Sequence, residues 1–241
     1  MNAKKLSFLL LILVAVACTN RSTSSEQDEM RHWNNVLQQI NALLLENKAR
    51  QTLDLAKQTL PEILESAEKN GTTDTLIYYA RKIFNACGNN YINTKQYKDG
   101  IDYMDSIGNH PLIREHCPHE LLSFKAGLNQ LYGNNPEAVR LAEDYLQLPV
   151  CTSANDFIRQ AEIISGVYMY SGNNLPKAIQ ILEKAIDVYR KGGNFPNMLR
   201  IMSRLGIYYH LSGEYEKAIA TNQEAIATYN DSIAPGNVVI A

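Results

Sequence analysis

The residues best suited to chemistry lie within ten positions of one another: His110, His116, Cys117 and His119. Three imidazoles and a thiol are zinc-type donors, but their spacing matches no finger, and Pro111 and Pro118 mark the stretch as a surface connection. The expectation here is a solvated loop between helices, with no metal. Cys117 also raises the question of a Cys/His pair, yet nothing visibly activates the thiol. No glycine-rich phosphate loop, HExxH, GxSxG or kinase signature is present. The chain is therefore read as a non-enzyme without a cofactor. Cys87 precedes Gly88 on an apolar face and reads as a buried thiol. Cys117 and Cys151 flank one predicted helical hairpin, and a disulfide between them is a candidate in an oxidising compartment.

These residues must be positioned by helices. The chain has 241 residues, 45% hydrophobic and 20% charged, a composition that supports a folded core. With 23 basic against 25 acidic residues and no basic stripe, nucleic acid is not an expected partner. No alternating strand pattern of useful length occurs. Four glycines recur inside predicted helices, Gly88, Gly127, Gly166 and Gly206, at spacings of 39, 39 and 40. Glycine costs about 1 kcal/mol in a helix interior, so its periodic use calls for a packing reason. A second small residue follows each: Gly100, Ala138, Ala178 and Ala218. Between them lie turn signals, Thr94-Lys95, Gly133-Asn134-Asn135, Gly172-Asn173-Asn174 and Ser212-Gly213. Each unit reads as helix A, a tight turn, then helix B, with the paired small residues letting the two helices approach.

Upstream, 28–46 and 49–69 carry helical apolar spacing through Trp33, Val36, Ile40, Leu53, Ala56 and Leu60. In one register Trp33, Ala49, Ala56 and Pro61 form a repeat signature. In another the second helix begins near Lys48 and Pro61 is a kink. Gly71-Thr72-Thr73-Asp74 ends one helix and caps the next. The organisation expected is thus 30–72 as a degenerate helical pair and 73–241 as regular repeats.

Leu205-Gly206, Tyr209, Gly213, Tyr215, Ala218 and Ala225, with Gly166, Ala178, Leu182 and Ala185 before them, resemble the tetratricopeptide repeat. The likeness covers roughly 81–241, at a period near 39 rather than 34. It implies an all-α, right-handed superhelical solenoid of about five helix-turn-helix pairs. It also implies that helix A lines a concave surface for a protein or peptide partner. On that reading the groove holds Lys82, Asn85, Asn89 and Asn93 in the first clear unit, and Arg200, Ser203, Ile207 and His210, with Arg204 beside them, in the last. Leu121, Phe124, Leu128, Tyr132, Ile163, Val167 and Tyr170 belong to the middle units. The Lys/Asn and Arg residues resemble a carboxylate clamp for a peptide C-terminus.

The N-terminus reads as an address. Lys4 and Lys5 precede an apolar run from Leu6 to Ala17, too short to span a bilayer. Ala15-Val16-Ala17 followed by Cys18 resembles a bacterial lipoprotein signal, although Ala15 stands where Leu is commonest. The resemblance implies removal of 1–17, acylation of Cys18 and a polar tether over 18–29, hence a cell-envelope lipoprotein with membrane contact through its lipid. At the other end, Pro235-Gly236 and Asn237–Ala241 suit the start of a further helix A, and no polar capping helix follows. The last repeat is expected to be uncapped: a partner covers it, it stays partly exposed, or the chain is a fragment. The fragment is favoured, which keeps a second function open: the sensory ectodomain of a membrane signalling protein with a kinase or DNA-binding output.

Overall fold

The computed structural model describes residues 28–149, 154–193 and 195–232. All regular structure among them is helical. In chain order the helices are α1 (28–45), α2 (Ala49–Asn70), α3 (Asp74–Asn93), α4 (Tyr97–Ile107), α5 (Pro111–His116) and α6 (Pro118–Tyr132). They continue with α7 (Asn135–Gln147), α8 (Ala154–Tyr170), α9 (Leu175–Gly192), α10 (Phe195–Leu211) and α11 (Tyr215–Ser232). The chain divides into two compact units, one up to Asn90 and one from Tyr91.

In the first unit α1 and α2 are amphipathic helices joined by a tight turn. Trp33, Val36 and Ile40 are buried from α1, and Leu53, Ala56, Leu60 and Ile63 from α2. Asn47 closes the turn with φ 56, a left-handed conformation that Asn tolerates better than most residues. Of the two registers open from sequence, the second holds: α2 begins after Lys48 and carries Pro61 inside it. Helix α1 begins at residue 28, just within the stretch read as tether. Gly71, at φ 83, ends α2, and the Thr73 hydroxyl accepts the Leu76 amide at 3.2 Å to cap α3. The expected stop and start are both observed.

The second unit is a series of helical hairpins, α6–α7, α8–α9 and α10–α11, with α4 packed on α6. Its core is continuous from Ala126 through Leu141, Ile164, Val167, Leu182, Ile186 and Tyr189 to Ile201 and Tyr209. Helix A of each hairpin packs on its own helix B and on the hairpin before, with α8 against α6 and α10 against α9. This is how each unit buries an apolar face that it could not bury alone. The turns fall where the punctuation placed them. Lys95, Gly133, Asn173 and Gly213 all take positive φ.

Two readings are corrected here. The stretch around His110 and Cys117 is not a solvated loop. It folds as α5, with the His110 ring nitrogen accepting the Leu112 amide at 3.2 Å, and with Leu112, Ile113 and Cys117 buried. Three apolar residues outweighed the loop signal of the prolines, which serve instead as first-turn residues. The second correction concerns the glycines. A Cβ on Gly127 would stand 2.7 Å from Ile163 Cγ2, so this glycine admits helix A of the next unit, not its own helix B. Gly206 does face its own hairpin partner, with Asn222 2.6 Å away, while Gly166 has nothing nearer than 3.9 Å. Gly100 behaves as expected, because Tyr91 would lie 3.0 Å from an added Cβ. The common period therefore serves different contacts.

Candidate functional site

The second unit contains a groove of about 280 Å³ built from successive A helices. Helix α6 contributes Gly127, Gln130 and Leu131, α8 contributes Glu162, Ile163, Gly166 and Tyr170, and α10 contributes Arg204. Gly127 lets α6 and α8 come together. Gly166 leaves room for the Gln130 amide, whose Oε1 is 3.9 Å from where a side chain would begin. Tyr170 is 69% exposed and stands at the rim.

The polar side of the groove is organised around Glu162. Its side chain is 12% exposed, and its Oε2 lies 3.0 Å from Arg200 Nη2. Arg204 Nη1 donates to the Glu162 carbonyl at 3.0 Å. Arg200 thus pairs with the carboxylate, and Arg204 is held by the main chain of the same residue. Guanidinium hydrogen bonding fixes direction as well as charge. Close to Arg204 the hydroxyl of Tyr208 is buried without a hydrogen-bond partner. Burial pushes its pKa up, opposed by the Arg204 charge. Gln160 is also buried. Its Oε1 accepts from the Tyr145 hydroxyl at 3.3 Å, while its Nε2 has no partner. The groove therefore combines an aromatic rim, an aliphatic wall and directed donors. It holds neither a thiol nor a hydroxyl paired with a base.

The sequence-predicted residues separate cleanly. Ile163, Tyr170 and Arg204 are in the groove, and Arg200 supports it through Glu162. Phe124, Leu128 and Val167 are not. They are 1%, 0% and 0% exposed, and belong to the core. One residue turns a helix by about 100°, so the position after the glycine points away from the groove that the glycine lines. Tyr132 is exposed, with Lys98 of α4 as its electrostatic neighbour. His210 is exposed and packs edge-on to Tyr215 at 5.3 Å between centroids. Lys82, Asn85 and Asn89 belong to the first unit. There the Lys82 ammonium stands 5.7 Å above the Tyr78 ring, and the Asn89 Oδ1 is buried with no hydrogen-bond partner. Cys117 is buried at the start of α6, while Cys151 and Cys18 lie outside the described residues. His119 is engaged by the Pro149 carbonyl at 2.8 Å.

Gln130, Leu131 and Glu162 were not singled out from the sequence. A buried Glu at 162, one turn before the repeat glycine, was the available signal. A second concavity, in the first unit, was missed as well. It is lined by Asp28, Glu29, His32, Trp33, Glu62 and Glu65 among others. Its carboxylates are engaged locally, Glu29 by Ser66 at 2.8 Å, Glu62 by His32 at 3.2 Å and Glu65 by Lys69 at 2.6 Å.

Residues 161–231 match the tetratricopeptide repeat family profile. No curated protein matches the chain in sequence. Among solved structures, the chain is similar to BtubC (BKLC) from P. vanneervenii, with a TM-score of 0.57 at 12% identity, over 76% of this chain and 74% of that one. It is also similar to the nearly identical TPR-like repeats of a chain described as a kinesin light chain from Podosopora anserina. That match has a TM-score of 0.53 at 12% identity, over 85% of this chain and 98% of that one. The fold is accordingly the all-α solenoid of TPR-like repeats.

Proposed function

We propose that this protein is a binding scaffold that holds a protein or peptide segment in the groove of its second unit. The observation that carries the reading is the convergence of Gln130, Ile163, Tyr170 and Arg204, from three successive A helices, on one preformed concavity. A rigid surface of this kind lowers the ordering cost of binding. Its mixed lining suits a segment with an apolar side chain against Ile163 and Tyr170 and an acceptor facing Arg204. The arrangement serves recognition better than turnover, because its carboxylate is already paired with Arg200.

The proposal extends to location. The run Leu6–Ala17 followed by Cys18 supports export, cleavage and acylation, which would tether the scaffold to a bacterial envelope membrane. Radiolabelled palmitate should enter the wild-type protein and not Cys18→Ser. Equal labelling would end the lipoprotein reading.

The groove is tested with peptides selected from a random display library on the purified repeats. Their affinity should fall at least about tenfold with Tyr170→Ala or Arg204→Ala and stay unchanged with Tyr132→Ala. Peptides insensitive to both groove variants would show that binding, if any, occurs elsewhere.

A further inference from the structure

The size of the groove in the second unit bears on what can enter it. It holds about 280 Å³. An α-helix with its side chains is about 10 Å across and rises about 5.4 Å per turn, so one turn fills roughly 420 Å³. A helical partner could lie only across the mouth. An extended chain advances about 3.3 Å per residue and turns alternate side chains to opposite sides, so it can enter with one side chain directed inward.

The polar groups of the lining point the same way. Gln130 is half-buried, yet its side chain makes no hydrogen bond among the described residues. Gly166 keeps the space beside it open, since a Cβ there would stand 3.9 Å from Gln130 Oε1. A carboxamide carries an acceptor oxygen and two N–H donors side by side. In an extended chain the N–H and C=O of one residue project to the same side, and a carboxamide complements that pair. In a helix both groups are already spent on bonds along the helix. Arg204 commits Nη1 to the Glu162 carbonyl, and its guanidinium carries further N–H donors suited to a second main-chain carbonyl. Ile163 and Tyr170 offer apolar surface to one side chain.

We propose that the groove binds its partner as an extended segment read through the main chain, with the Gln130 carboxamide paired to the N–H and C=O of one partner residue. A neighbouring side chain of the partner packs on Ile163 and Tyr170. The pairing rests on this groove being the binding site, as proposed above, and adds the conformation of the partner and the residue that reads it. Main-chain groups are common to all residues, so the groove tolerates varied sequences around one apolar position.

The test uses a decapeptide obtained by display on the full chain, chosen because Tyr170→Ala abolishes its binding. It is resynthesised with one backbone N–H at a time replaced by an ester oxygen, which removes a donor and leaves every side chain in place. One ester analogue should bind about fivefold more weakly than the parent peptide, the effect of one lost hydrogen bond. With Gln130→Leu the parent peptide should weaken and that ester penalty should vanish. With Gln130→Glu, which keeps the acceptor, the penalty should remain. Thermal melts report whether the variants are folded, and Gln130→Ala gives the same comparison if Leu disturbs the packing. A Tyr170-dependent peptide with no ester penalty, or with the same penalty in Gln130→Leu, would overturn the pairing and leave the groove reading standing. Tighter binding by peptides stapled as helices would do the same. If no displayed peptide depends on Tyr170 or Arg204, the groove reading fails and the pairing with it.

Discussion

Hairpins α8–α9 and α10–α11 are built from the same repeat, yet the same positions have opposite fates. Val167 of α8 is fully buried, while its counterpart Ile207 of α10 is 57% exposed. Ile179 and Ile186 are buried, while Ile219 and Ile226 are not. Side-chain chemistry is nearly constant across the pairs. Only the neighbour differs, because α8–α9 is followed by another hairpin among the described residues and α10–α11 is not. Burial in a repeat array belongs to the stacking interface as much as to the residue, and stability divides between intrinsic and interfacial terms.

The sharpest way to break this comparison is to truncate one pair of equivalent residues. Ile179→Ala should cost about 2–5 kcal/mol, as for other buried aliphatic truncations, and Ile219→Ala should fall within about 0.5 kcal/mol of the parent. Urea unfolding midpoints give both values. Equal losses would mean that the outer face is covered in solution. A smaller effect separates the glycines. Gly127→Ala drives a Cβ into Ile163 and should destabilise by about 1–3 kcal/mol. Gly166→Ala meets only Gln130 Oε1, at an ordinary van der Waals distance of 3.9 Å, and should stabilise by up to about 1 kcal/mol through helix propensity. A shared sign would contradict the different contacts found at the two positions.

The smallest effect concerns pH, on the covered side of the last described hairpin. Burial and a hydrogen bond from its hydroxyl to Glu183 raise the Tyr209 pKa well above the ordinary tyrosine value. The folded state thus favours the protonated phenol. Its contribution to stability is present below the unfolded value near 10 and is lost as pH rises beyond it. Thermal melts between pH 9 and 11 should decline less steeply for Tyr209→Phe than for the parent. Parallel curves would remove Tyr209 from the account.

The helices were legible because each carries a 3.6-residue apolar pattern bounded by Gly, Asn, Thr or Pro. Boundaries such as Gly71 with Thr73, or Gly213, could be read directly. The short helix α5 could not, since six residues show too little periodicity to outweigh two prolines. The groove was half legible. Tyr170, Ile163 and Arg204 follow from the repeat, whereas Gln130 and Glu162 depend on which side of each A helix remains uncovered. That is set by the close approach of α6 to α8 at Gly127, where an added Cβ would stand 2.7 Å from Ile163, with no sequence periodicity to announce it. Of the residues read as a clamp, Arg200 pairs with Glu162.

The turns at Asn47, Lys95, Gly133, Asn173 and Gly213 each reverse the chain within a few residues through one left-handed conformation. Most stabilising contacts of a hairpin therefore join segments close in sequence, and contact order is low. Chains of this kind fold quickly and can gain structure one hairpin at a time as they emerge during synthesis. If the chain is threaded across a membrane before folding, as proposed above, this locality has a further use: each hairpin can form as it arrives, without waiting for the end of the protein.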